Sequence, residues 1–220
     1  MESNLQLGIQ AMEQGSYEDA SKWLHDAIEE NPLDPIGYVN FGNLLVIVND
    51  IEKAMVFFDK AIELDDKTAT AYYGAGNGFY KSEKYNEAAK MFKLALEHHL
   101  DTADTHFMLG MSLYHQNHFA YALAHLQRAV ELNKDDMTAI FQYGLCLAQL
   151  DQIDEAMRQF EQVIDKDDTH ADAYFNLGVA YAYKEEFDKA LQLFNKAVQI
   201  QPDHVLAGHG KKQMMERLKQ

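Results

Sequence analysis

A glycine recurs every 34 residues, at Gly8, Gly42, Gly76, Gly110, Gly144 and Gly178, and an alanine keeps the same interval at Ala20, Ala54, Ala88, Ala122, Ala156 and Ala190. Six units therefore fill residues 1–204 without insertion or deletion: 1–34, 35–68, 69–102, 103–136, 137–170 and 171–204. A strict period of this length is the mark of stacked supersecondary units, none of which can bury its apolar face alone.

The apolar positions inside a unit say what that unit is. Counting Met1 as position 1, positions 4, 7, 8 and 11 form one cluster and 17, 20, 24 and 27 another, each with the spacing of an amphipathic helix. Position 24 reads Leu24, Phe58, Phe92, Leu126, Phe160 and Phe194. Turn residues such as Gly15-Ser16, Asn49-Asp50 and Asn117-His118 separate the clusters, and Asn31-Pro32, Asp65-Asp66, Asp167-Asp168 and Gln201-Pro202 follow the second. Each unit reads as a helical hairpin. A mid-helix glycine costs about 1 kcal/mol relative to alanine, so the small residues at 8 and 20 point to close approach of the two helices.

This pattern resembles the tetratricopeptide repeat (TPR) family. Its alternation of large and small residues is nearly complete in Tyr174, Leu177, Gly178, Tyr181, Ala190, Phe194, Ala197 and Pro202. Departures are mild: position 32 is proline only at Pro32 and Pro202, position 27 is Val163 in unit five, and position 4 is Asn4 in unit one. The run as a whole, with its segment Asn40-Phe41-Gly42-Asn43, looks like a stand-alone bacterial member of the family. The resemblance implies an all-α, right-handed TPR solenoid of six helix-turn-helix repeats. Residues 205–220, which lack the glycine and alanine anchors, read as a C-terminal capping helix.

Composition narrows the function. The net charge is −16; residues 205–220 carry +3 (Lys211, Lys212, Arg217 and Lys219 against Glu216), which leaves −19 on residues 1–204. Such a field repels phosphate backbones and excludes nucleic acid as the expected partner. It also steers basic partners, so an acidic scaffold holding a basic protein on its outer faces stands as the alternative function. No stretch approaches the roughly 18 apolar residues of a membrane span, and the N-terminal residues carry no basic, apolar leader pattern. A cytoplasmic protein that touches no membrane is the expectation. Unit one has eight acidic residues against Lys22 and a polar first helix (Glu2, Asn4, Gln6, Gln10, Glu13), as a solenoid cap requires. Trp23 in its second helix reads as packing.

Three features invite chemistry and fall short of it. Gly74, Gly76 and Gly78 alternate inside a helix, whereas a dinucleotide loop needs a preceding strand in a βαβ unit. His98, His99, His106, His115, His118 and His125 crowd one region, but zinc needs three or four ligands converging on a point; a histidine-rich metal-binding protein is the remote alternative, and a pH-responsive surface stays open. Cys146, the single cysteine, sits among Leu145 and Leu147 and reads as an inert thiol. No cofactor and no enzymatic activity are expected.

On the first helix of each unit, positions 2, 6, 9 and 13 point away from the core stripe and 5 and 12 flank them. The resemblance implies that first helices line a concave surface that meets an extended peptide or a partner helix. The candidate contact residues are Asn40, Asn43, Tyr73, Gly74, Asn77, Tyr80, Phe107, Met108, Met111, Tyr114, Phe141, Gln142, Phe175 and Asn176. Asn and Gln amides both donate to and accept from a peptide main chain, rings give stiff contact area, and Met108 and Met111 adapt their shape. Gly74 would leave a gap for a ligand backbone beside Tyr73 and Asn77. The position-5 rings divide between packing and ligand contact, and sequence does not separate the two. Family members that bind C-terminal carboxylates of chaperones need lysine and arginine where units one to three offer Leu5, Thr70 and Gly74 and units two to four offer Val39, Asp104 and Met108, so that ligand is not expected. The leading expectation is a non-catalytic adaptor that holds an extended segment of a partner protein. Self-association, one molecule's tail or edge helix occupying another's surface, stays open.

Overall fold

The computed structural model describes residues 2–219, and the regular structure in them is helical throughout. The helices are α1 (Asn4–Glu13), α2 (Tyr17–Glu30), α3 (Pro35–Ile47), α4 (Ile51–Leu64), α5 (Ala69–Lys81), α6 (Tyr85–Glu97) and α7 (Ala103–His115), then α8 (Phe119–Leu132), α9 (Met137–Gln149), α10 (Ile153–Lys166), α11 (Ala171–Tyr183), α12 (Phe187–Ile200) and α13 (Val205–Arg217). From α3 onward every first helix begins at position 1 of its unit, and every second helix begins at position 17. No described helix is long and apolar enough to cross a membrane.

The turn inside each unit is closed the same way. The residue at position 15 is left-handed in all six, from φ 57° at Asp151 to 74° at Gly15. The next amide then donates back to the carbonyl of position 11, as Asp50 does to Leu45 at 2.8 Å and Glu186 to Tyr181 at 2.9 Å. This is a Schellman end, which normally favours glycine. Asn49, Glu83, Asn117, Asp151 and Glu185 adopt it with a side chain present. Unit three closes its second helix with a further such end: His99 has φ 71° and the Leu100 amide donates to Ala95.

Position 8 is where the two helices of a hairpin touch. A Cβ added at Gly42 would lie 2.7 Å from the Phe58 ring, at Gly76 2.6 Å from Phe92, at Gly144 2.8 Å from Phe160 and at Gly178 2.8 Å from Phe194. The rings at position 24 are fully or almost fully buried, as are the alanines at position 20. Burying one such ring stabilises by roughly 1.5–3 kcal/mol, and the missing methyl is what lets it lie flat on the first helix. Gly74 and Gly78 work similarly against the preceding hairpin. A Cβ at Gly74 would meet Phe58 at 2.4 Å and Asn43 Oδ1 at 2.7 Å, and one at Gly78 would meet Met55 Cε at 2.5 Å. The gap expected beside Gly74 is therefore filled from within the molecule.

The chain divides into two compact units, Met1–His118 and Phe119–Gln220. The repeat period, which predicts one unbroken array, runs through that division unchanged. In the first, α1 to α7 pack in sequence, and α1, α3, α5 and α7 also touch in succession. At its start Ser3 and Gln6 cap α1 reciprocally. Gln10 is exposed where the later units place buried Leu44, Gly78, Ser112, Cys146, Ala180 and Met214. Trp23 packs with Met12 and Phe41 against the cluster around Leu24 and Leu44. In the second unit α8 to α13 likewise pack in order. There α13 takes the place of a seventh first helix, with Ala207 and Met214 buried. Lys211 and Lys212 occupy positions 7 and 8, where a further second helix would have to land.

These contacts and turns set the response to substitution. Gly178→Ala should destabilise by about 1–2 kcal/mol, because overpacking against Phe194 exceeds the gain in helix propensity. Gly208→Ala in α13, where nothing lies within 4 Å of the new methyl, should stabilise by about 0.5–1 kcal/mol; urea melts of both variants check the pair. Glu83→Gly and Glu185→Gly should each stabilise by about 0.5–1 kcal/mol by relieving left-handed backbone strain, read as a rise in melting temperature.

Candidate functional site

In the first unit the outward side of α3, α5 and α7 brings together most of the residues singled out from sequence. Asn40 is half-buried and donates its amide to its own helix at the Ile36 carbonyl, 2.9 Å away, which leaves Oδ1 free to accept. Asn43 is half-buried with its Oδ1 against Gly74. Burial pushes the Tyr73 pKa up, against the smaller opposing effect of the Asn77 side chain. The Tyr73 ring is tilted on Phe92 at 5.6 Å, so part of it packs and part stays accessible. Tyr80 reaches His115 Nε2 at 3.0 Å, and that imidazole stacks on Tyr85 at 4.4 Å. Burial raises the Tyr80 pKa as well. Phe107, Met108 and Tyr114 on α7 are half-buried.

Two of the singled-out residues have little to offer a ligand. Gly74 is buried beneath Phe58 and Asn43, and Met111 is 8% exposed. The cation closest to this face in sequence is also engaged: Lys81 Nζ donates to the carbonyls of Val46 and Ile47 at 2.8 and 3.2 Å, closing the C-terminal end of α3.

The second unit repeats the arrangement on α9 and α11. Phe141 is tilted on Phe160 at 5.7 Å and Phe175 on Phe194 at 5.9 Å; both rings are half-buried, as are Gln142 and Asn176. Asn176 donates to its own Asp172 carbonyl at 2.8 Å, the bond that Asn40 makes in unit two. The exposed large apolar side chains on this side of α11 are Val179 at 45% and Tyr183 at 66%. The packing share of the position-5 rings is thus explicit, and the accessible remainder lies beside oriented amides.

The histidine-rich region is used for ring contacts and side-chain bonds. His98 stacks on Tyr72 at 5.1 Å and His106 Nε2 meets Asp101 at 2.8 Å. Among the described residues the group with metal-ligand spacing is elsewhere, His25, Asp26 and Glu29 on the surface of α2. Cys146 is fully buried, and its thiol donates to the Phe119 carbonyl at 3.4 Å. Desolvation pushes its pKa up to about 11, which is the opposite of nucleophile activation. One surface feature escaped the sequence reading. A hollow of about 420 Å³ on the outward side of α4 is lined by Tyr38, Val56, Phe57, Asp59, Lys60 and Glu63. Its signal was Val56, 66% exposed, at a position filled elsewhere by Lys22, Lys90, Ala124, Arg158 and Gln192.

Comparison with known proteins agrees with the geometry. Residues 37–68 and 171–204 each match a tetratricopeptide repeat profile, and residues 81–163 match that of anaphase-promoting complex, cyclosome, subunit 3. The solved structure of YrrB, described as a TPR protein with an unusual peptide-binding site, is 52% identical, spans 86% of this chain and 97% of its own, and superposes with a TM-score of 0.81. This chain belongs to the tetratricopeptide repeat family. Aligned by sequence, the TPR repeat-containing protein YrrB of Bacillus subtilis (strain 168) is 51% identical over 41 residues, a span of 19% of this chain and 20% of the relative. Pseudomonas aeruginosa PilF shares the TPR fold alone, at 16% identity with a TM-score of 0.82 over 96% of both chains.

At pH 7.5 a thiol-specific disulfide reagent should label Cys146 in the native protein about 100-fold or more slowly than in denaturant, since a two-unit rise in pKa removes that share of thiolate. Labelling at comparable rates would show an open, ionisable thiol.

Proposed function

We propose that this TPR protein is a non-catalytic adaptor that takes an extended segment of a partner protein along its first helices. The observation that carries the reading is the row in the first unit. Asn40, Asn43, Asn77, Tyr80, Phe107, Met108 and Tyr114 are partly accessible and uncharged, on three first helices packed in succession. An amide already fixed by its own helix loses no rotamer freedom when it meets a peptide backbone, so its hydrogen bond comes at reduced entropic cost. Partly buried rings are held in place and offer rigid contact area to apolar side chains. Phe141, Gln142, Phe175 and Asn176 extend the same chemistry to the second unit. YrrB, whose peptide-binding site is noted with its structure, supports this assignment by similarity. The net charge of −16 supports a second mode, a basic partner held on the outer faces. A cytoplasmic setting suits either mode.

The two modes separate by salt and by substitution. Peptides selected from a random display library against the wild-type protein should bind Asn40→Ala and Met108→Glu at least about tenfold more weakly, the loss typical of a central contact. Raising NaCl from about 0.1 to 0.5 M should change those affinities little, because apolar and amide contacts are not screened. Affinities untouched by both substitutions would remove the groove reading, and a steep loss with salt would favour the acidic scaffold.

A further inference from the structure

Two helices of the second unit are capped by histidine, one repeat apart. His170 Nδ1 accepts from the Ala173 amide at 3.1 Å at the start of α11, and His204 Nδ1 accepts from the Ala207 amide at 3.2 Å at the start of α13. A ring nitrogen that accepts carries no proton, so the remaining proton of neutral His204 is on Nε2. That nitrogen faces Asp172 Oδ1 at 3.2 Å and donates to it. The His204 side chain is 7% exposed, and its ring lies against Phe175 at 5.1 Å. His170 lies against Phe141 at 4.8 Å in the equivalent way.

A second proton acts oppositely on the two bonds of His204. On the Nε2 side the contact to Asp172 becomes charge-assisted and about twice as strong. On the Nδ1 side the lone pair disappears, and a cationic N–H points at an amide N–H. That cation also faces the partial positive charge at the N-terminus of α13. From α11 the facing groups are Asp172 and the apolar Phe175, and Asp203 is the exposed neighbour in the loop. Lys196 of α12 is directed to the Tyr174 ring at 5.7 Å. Within α13 the titratable His209 is exposed, and the first fixed charge is Lys211.

We propose that His204 is a proton-sensitive cap: on protonation the imidazolium stays with Asp172 on α11 and lets go of the first turn of α13. The inference does not rest on the peptide-binding reading. It concerns how the last helix is tied to the second unit.

Amide hydrogen exchange and imidazole ¹⁵N shifts on the full chain test it. At pH 8 the His204 shifts should report a bare Nδ1 and a protonated Nε2. Between pH 8 and 5 the protection factor of the Ala207 amide, corrected for intrinsic exchange, should fall about tenfold, the size of losing one N-cap, while that of Ala190 in α12 holds. In His204→Asn, which keeps an acceptor at the cap and cannot titrate, Ala207 protection should be the same at both pH values. Constant Ala207 protection in the wild type, an equal fall in the asparagine variant, or a protonated Nδ1 at pH 8 would each overturn the proposal.

Discussion

Everything in the hairpins rests on one contact, a ring or leucine at position 24 lying on a backbone that has no side chain at position 8. The distances from Gly8 to Leu24, Gly42 to Phe58 and Gly178 to Phe194 leave no room for a methyl group. Close packing of this kind fixes the separation and rotation of the two helices, because interiors tolerate neither voids nor overlap. Once those are fixed, positions 5, 6, 9 and 12 of the first helix have only one direction to point. The surface chemistry of Asn40, Tyr80 or Phe175 is thus set by a glycine two to four residues away.

The same logic separates what sequence could and could not reveal. The hairpin and its two apolar clusters were legible, since a 34-residue period repeats the pattern until noise averages out, and the helices that start at Ile51, Phe119 and Ala171 contain those clusters. The role of Gly74 was not. A glycine in a helix signals that something comes close, and only coordinates say whether that something is a ligand or, as here, the Phe58 ring and Asn43. The half-buried state of Tyr73, Phe141 and Phe175 was equally beyond sequence, because one ring can pack on position 24 and still show an edge. Histidine at position 34 carried no recognisable cap signal, since Asp34 and Asp136 fill that role with the ordinary side chain. The division near His118 has no counterpart in the period at all.

Amides and rings divide the work at the candidate surface. The rings are held by the core and so contribute area without mobility, while Asn40 and Asn176 are oriented by a carbonyl one turn earlier. Charge is kept out of that row, and Lys81, the cation nearest in sequence, is consumed in closing α3. A row of uncharged side chains, with carboxylates such as Asp104 only at its edge, favours recognition by shape and backbone over recognition by sign.

The polar substitutions at the two ends carry a lesson for how such a chain could grow. Gln10 at one end and Lys211 with Lys212 at the other occupy sites that interior repeats reserve for small or apolar side chains. A hairpin appended beyond α13 would find a pair of ammonium groups where it needs a glycine and an apolar neighbour. Duplication that inserts whole 34-residue blocks among the interior repeats would instead leave the glycine-to-ring contact intact at every junction.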